Sequence, residues 1–342
     1  MASSGTGPLD GHQKGESMPV CIAGMHRSGT SMVTKMLQTS GLYLGPESDL
    51  MPSKSDNQEP HWENKRFVNV NVAILAQLYG AWDCPPPIPN DWTTGRLAAF
   101  QTQAQELLAD FDDREPWGWK DPRNCLTLPF WQTMLGPVPV VIVVRNPLEV
   151  AKSLRVRNGF SYALGLALWQ AYNQRLYESV APNDRVVTHY DMYFHDPESE
   201  LRRLLKFLAL PVDEGVLEQV RSVHVAGLRH HQMTTQDLRF ADVSPEILDL
   251  YHNLCTEAQW RDARFRSSKS ETVAALTEAM VRSGDDPDSP ESAVRAHRRS
   301  VTRERSSRCR QDRVARALPR KRESKGKRNG WLLPGSENSG EN

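Results

Sequence analysis

The sequence predicts an α/β fold, a parallel sheet flanked by helices, followed by a disordered C-terminal tail. Three observations carry this. Short strand-like runs recur between stretches with helical periodicity: the apolar Val20–Ala23 and Val138–Val144, and Arg185–Tyr190. Such alternation implies parallel strands joined by right-handed crossovers. Each run also ends in a polar or glycine-bearing turn, and ligands of parallel sheets sit beyond the carboxyl ends of the strands. Finally, the formal net charge of zero hides an asymmetry. Residues 1–260 carry 22 basic and 30 acidic side chains, and residues 261–342 carry 20 and 12.

In chain order, residues 1–17 are Gly, Ser and polar, a disordered leader. Val20–Ala23 reads as a buried strand. A turn bounded by Gly24 and Gly29 follows, then a helix with Met32, Val33, Met36 and Leu37 on one face, ended by Gly41. Strand, glycine loop and helix start make an anion cradle, because backbone N–H groups and the helix dipole converge there. The G-x-x-x-x-G spacing matches a phosphate loop, but Thr30 stands where the lysine of G-K-[ST] belongs, leaving Arg27 as the loop's cation. Taken alone, the loop is also compatible with ordinary turn chemistry.

Pro46 to Pro60 reads as a proline-punctuated surface loop, ending at His61-Trp62-Glu63-Asn64 where a helix begins. Phe67, Val70, Ile74, Leu75 and Leu78 recur at helical spacing. Pro85-Pro86-Pro87 and Pro89 force an extended spacer. From Thr93 a second amphipathic helix turns Leu97, Phe100, Ala104, Leu107, Leu108 and Phe111 inward. Trp117-Gly118-Trp119 leads as a short strand into Lys120-Asp121-Pro122-Arg123, and Phe130 and Trp131 read as core aromatics. Val138–Val144 ends in Arg145, with Pro147 in the first turn of the next helix, where a missing N–H costs nothing. A long helix with Leu164, Leu168, Ala171, Tyr172 and Leu176 follows. Asp196-Pro197 then caps one more, whose Leu201, Leu204, Leu205 and Leu208 face inward. Ile247, Leu250, Tyr251 and Leu254 mark a last helix closing near Trp260.

Gly24-Met25-His26-Arg27-Ser28-Gly29-Thr30-Ser31 resembles the 5′-phosphosulfate loop of the sulfotransferases that use 3′-phosphoadenosine 5′-phosphosulfate (PAPS). It is closest to bacterial sulfotransferase family proteins, which share R-S-G-T with tyrosylprotein sulfotransferases. Arg145-Asn146-Pro147, with Ser153 eight residues after Arg145, resembles the family's 3′-phosphate motif. Tyr190 through Pro211 is similar to the family's tyrosine, aspartate and F-L-G-L-P region, with Ala209 where glycine is usual; it reads as a mark of membership with little chemistry. The resemblance covers about residues 18–260. It implies a P-loop NTPase-like fold, PAPS as donor, no metal, and a hydroxyl-bearing acceptor: a carbohydrate, lipid-linked sugar, peptide or small metabolite.

The resemblance also implies roles. Gly24, Arg27, Ser28, Gly29, Thr30 and Ser31 would hold the 5′-phosphosulfate, and Arg145 and Ser153 the 3′-phosphate, with Arg229 near the nucleotide. Arg27 would take the place of the lysine of cytosolic sulfotransferases as an electrostatic clamp, since arginine keeps its proton. Lys120 would supply the switchable proton; the alternative is a structural pair with an aspartate. The base that accepts the acceptor's proton is expected at Glu63, ahead of Glu47 and then His61. A kinase would need a lysine in the loop and an acidic residue closing a second strand, where this chain has Arg145. A non-catalytic nucleotide-binding protein is the reading from a different class.

Hydrophobic content of 39% with nine Trp accommodates a core, while a mean hydropathy of −0.57 implies chain outside it. Cys21, Cys84, Cys125, Cys255 and Cys309 show no CxxC spacing and read as free thiols of a reducing, cytoplasmic compartment. The longest apolar stretch, Tyr162–Trp169, is too short to span a bilayer. His230 and His231 lack a third ligand at metal spacing. Fifteen basic residues against three acidic ones between Ser292 and Gly330 read as a solvated tail, able to meet an anionic partner, with no aromatic-interleaved motif for nucleic acid.

Overall fold

The computed structural model describes residues 19–52, 62–222 and 233–261. They lie within the first of two units into which the chain divides, Met1–Arg298 and Arg299–Asn342.

Four short strands form the sheet: β1 (Val20–Ala23), β2 (Gly118–Lys120), β3 (Val140–Val144) and β4 (Arg185–His189). Every residue in them is buried. Their order is β2-β1-β3-β4, and all three pairings are parallel. Continuous apolar runs suit strands covered on both faces. β3 begins at Val140 rather than Val138, just past Pro139, whose carbonyl accepts from the Cys21 N–H at 3.0 Å.

The helices are α1 (Thr30–Thr39), α2 (Lys65–Gln77), α3 (Ala98–Ala109), α4 (Asn124–Leu135), α5 (Pro147–Asn158), α6 (Tyr162–Ser179), α7 (Met192–His195), α8 (Pro197–Phe207), α9 (Glu214–Ser222), α10 (Thr235–Phe240) and α11 (Pro245–Glu257). Alternate residues of β3 face opposite sides, as a period of two requires. Val141 and Val143 join Val33 and Leu37 of α1 and Leu201, Leu204 and Leu205 of α8. Val140, Ile142 and Val144 join a larger core with Phe67, Trp119, Trp131, Leu148, Trp169 and Tyr172.

The third helix starts at Ala98, after a 3-10 turn over Gly95–Leu97, rather than at Thr93. The expected core aromatics Phe130 and Trp131 are fully buried, and they sit on α4, a helix that the sequence pattern did not show. α4 contains Pro129 and buries most of its circumference, so it lacks an amphipathic stripe. α7, α9 and α10 are also additions, each short. Among the described residues no helix is long and apolar enough to cross a membrane.

Candidate active site

The carboxyl edge of the sheet gathers the glycine loop after β1, Lys120 at the end of β2, Arg145 after β3 and Tyr190 after β4. Two glycines are demanded by close approach. A Cβ on Gly24 would lie 2.4 Å from the Val143 carbonyl oxygen, and one on Gly29, whose φ is +90°, would lie 2.3 Å from Tyr190 Cδ2. Arg27 adopts φ 72°, a left-handed conformation that costs a non-glycine residue about 1–3 kcal/mol and clusters at functional sites.

Gly29 is the N-cap of α1, so no side chain caps this helix. The Met32 and Val33 N–H groups turn back to the Gly29 carbonyl. Those of Thr30 and Ser31 come too early in the helix for an intrahelical acceptor. Ser28 Oγ is buried, with no hydrogen-bond partner among the described residues. An uncapped helix start and an orphaned buried hydroxyl fit an anionic group.

The second motif meets this loop directly. Arg27 Nε donates to Ser153 Oγ on α5 at 2.8 Å, and Arg145 Nη1 donates to the Arg27 carbonyl at 3.2 Å. The Arg145 guanidinium lies over the Tyr190 ring, 4.3 Å from its centroid, and its Nε donates to Glu149 Oε2 at 2.7 Å. Arg27 thus reaches toward the residues expected at the 3′-phosphate. The α5 start is closed by its own sequence: Asn146 Oδ1 accepts from the Leu148 N–H, and Pro147 is the first helical residue.

On the other side of the loop, Lys120 Nζ donates to Ser31 Oγ at 3.1 Å and to Glu63 Oε1 at 2.9 Å. The Lys120 side chain is 1% exposed and that of Glu63 12%, so this ion pair is largely screened from water. Asp121, the neighbouring aspartate, directs its fully buried carboxylate elsewhere. It accepts from Asn71 Nδ2, from the Arg123 N–H and from Arg123 Nη1, each at 2.9 Å. Asn71 Oδ1 in turn accepts from Thr127 Oγ1 and Trp131 Nε1. This network pins the turn that carries Lys120.

Glu47, the alternative base, is exposed in a 3-10 turn over Glu47–Asp49. His61, Arg229 and the His230-His231 pair lie outside the described residues. Among those described, no group of three or more His, Cys, Asp or Glu could hold a metal. Cys21, Cys84, Cys125 and Cys255 are buried and form no disulfide among the described residues, and burial pushes the Cys21 and Cys125 thiols up, away from thiolate chemistry.

Sequence reasoning assigned no part to His26, Asn71 or Glu149, and treated Tyr190 as a mark of membership only. The His26 ring packs against Trp82 and Tyr172, with centroids 4.7 and 5.8 Å away, and its Nε2 is buried without a hydrogen-bond partner among the described residues. Burial, with Arg123, Arg157, Lys120 and Arg27 nearby, holds its pKa well below the ordinary value, so the ring is neutral at pH 7.

Parallel strands, a glycine loop and cations at three strand ends define an α/β protein. The chain belongs to the sulfotransferase family, whose family model matches residues 19–214, more than half of its length. Comparison with curated proteins gives no match. Among solved structures, the sulfotransferase domain from the curacin biosynthetic pathway is 17% identical, with 77% of this chain and 97% of that one covered and a TM-score of 0.40. Sulfotransferase STF1 from Mycobacterium tuberculosis is 14% identical over 61% of this chain and 71% of its own, with a TM-score of 0.39. Mouse sulfotransferase SULT7A1, complexed with PAP, is 12% identical over 78% and 89%, with a TM-score of 0.36.

Proposed function

We propose that the protein moves a sulfuryl group from PAPS to an acceptor hydroxyl, on a carbohydrate, lipid-linked sugar, peptide or small metabolite. The observation that carries this reading is the direct joining of the two motifs: Arg27 to Ser153, and Arg145 to the Arg27 carbonyl. A donor with phosphates on both the 5′ and 3′ positions needs two anion sites in contact, and these residues supply them.

When bound, the donor supplies the sulfuryl group. The Thr30 and Ser31 N–H groups and the Ser28 hydroxyl would hold its 5′ side, and Arg145 with Ser153 its 3′-phosphate, with Arg229 as a further nucleotide contact. Arg27, anchored between the two sites, acts as a fixed positive charge. Lys120 holds a proton at Nζ beside Ser31, where it would offset negative charge developing at the helix start. Glu63 faces Lys120 and takes the acceptor hydroxyl's proton at Oε1 or Oε2. No residue in this scheme calls on a metal.

The catalytic unit in this reading spans residues 18–260, in a cytoplasmic protein; the leader (1–17) and the basic tail (261–342), both expected to be disordered, lie outside the described residues apart from Arg261. The anchoring of α11 supports the boundary: Arg185 on β4 binds Glu257 at 2.6 and 2.9 Å, and Tyr177 also donates to it. Truncation after residue 265 is expected to retain nucleotide binding.

Thermal shift with 3′,5′-ADP, 5′-AMP and ATP with magnesium tests the donor. The 3′,5′-ADP shift is expected to be the largest, and preference for ATP would sink the reading. Mass spectrometry of host extracts incubated with protein and PAPS, searched for the mass of one added sulfuryl group, would then identify the acceptor.

A further inference from the structure

We infer that Glu149 is a positioning residue for the 3′-phosphate site: it aims the Arg145 guanidinium and ties that aim to the docking of the chain at Met233–Thr234. The inference rests on the reading of Arg145 as a 3′-phosphate ligand.

Glu149 lies one helical turn after Arg145 and its side chain is fully buried. A buried carboxylate is costly unless both oxygens are satisfied, and here both are. Oε2 accepts from Arg145 Nε at 2.7 Å, and Oε1 accepts from the Met233 N–H at 2.8 Å. Asn146 closes the same junction from the other side, its Nδ2 donating to the Met233 carbonyl at 3.2 Å and the Thr234 carbonyl at 3.4 Å. Thr234 then caps α10 through a reciprocal bond with Asp237. One carboxylate therefore joins the strand-end arginine to the start of a segment 84 residues further on.

The geometry also says what this does for Arg145. A guanidinium recognises phosphate best through two parallel N–H bonds, which demands a fixed plane and a fixed edge. Tyr190 sets the plane from one face. Glu149 occupies Nε, and so turns the Nη1–Nη2 edge toward the loop, where Nη1 already meets the Arg27 carbonyl. An apolar residue at 149 would fill the space without setting that direction. A ligand group held by a locked neighbour binds with less ordering cost.

Glu149→Gln is the test, because glutamine keeps the volume and an oxygen for the Met233 N–H but cannot accept from Arg145 Nε with its amide nitrogen. Isothermal titration of the full chain with 3′,5′-ADP and with 5′-AMP reads the outcome. The expected result is a loss of about tenfold or more in 3′,5′-ADP affinity with 5′-AMP changed less than about twofold, the scale of one charged hydrogen bond. Arg145→Ala, measured alongside, should erase the preference for 3′,5′-ADP. If it does not, the reading of Arg145 falls and this inference with it. If it does, while Glu149→Gln keeps the wild-type preference or weakens both nucleotides equally, Glu149 is only structural and the inference alone is overturned. Should Glu149→Gln fail to fold, Glu149→Asp, which withdraws the carboxylate by one methylene, is measured the same way and must show the same selective loss.

Discussion

Two helices start at the carboxyl edge of adjacent strands, and they start in opposite ways. α1 follows β1 with a glycine N-cap in the left-handed region, and no side chain of its own closes its start. α5 follows β3 with Asn146 accepting from Leu148 N–H and proline as the first helical residue, so its own sequence satisfies its start. In the proposed reading, the first end would address the 5′-phosphosulfate with main chain, and the second the 3′-phosphate with side chains, Arg145 and Ser153. The glycines of the first end are required by the close approach of Val143 and Tyr190.

Breaking the open end is expected to have the largest effect. Gly29→Ala places a methyl group 2.3 Å from Tyr190 at φ +90° and should weaken 3′,5′-ADP binding about 100-fold or more, the scale of two or three kcal/mol of strain at a special backbone position. Titration calorimetry measures it; near-normal binding would remove the argument that backbone approach defines this end. Next in size is chemistry without binding. Glu63→Gln should lower turnover about 10²-fold while leaving the 3′,5′-ADP affinity within about threefold, as loss of a general base does. Glu47→Gln should change neither, and the reverse pattern would move the base to Glu47.

The closed end should respond more mildly. Asn146→Ala deletes a cap and the contacts to Met233 and Thr234, and a stability loss of about 1–2 kcal/mol in urea denaturation is expected. Its effect on 3′,5′-ADP affinity should be far below that of Gly29→Ala; equal effects would erase the contrast. The smallest effect is in pH. The folded state holds His26 neutral, with its pKa below that of the unfolded chain, so protons bind preferentially to the unfolded state. Its contribution is therefore constant above about pH 6.5, and stability falls as pH drops below that, by at most about 1.4 kcal/mol per pH unit. Denaturation at pH 7.5 and pH 5.5 should show less acid loss in His26→Gln than in the wild type.

The sheet was legible because its strands are short apolar runs ending in punctuation: Ala23 before Gly24, Val144 before Arg145. The loop was legible because glycine at 24 and 29 has few reasons to exist beyond backbone approach. α4 was not, since Pro129 and burial on nearly every side remove the periodicity that betrays a helix. Asn71 was passed over because it sits among the inward positions of α2, and its partners Asp121, Asn124, Thr127 and Trp131 are brought to it only by the fold. The Lys120–Glu63 pair was half visible: each residue had a motif, but their contact is tertiary. Tyr190 was read as a family mark, whereas its ring packs on Gly29 and carries Arg145.

The strand order sets the sequence of events in folding. β1 is central, yet neither of its neighbours is close in the chain: Val20 pairs with Gly118 and Cys21 with Val140. Closing such long loops must be offset by contacts that form only afterwards, which places pairings of this kind late and makes them slow. Synthesis from the N-terminus delivers the glycine loop first, but its cradle exists only once Val143 and Tyr190 are in place around it. The loop therefore cannot complete its structure until residues as late as Tyr190 have been made.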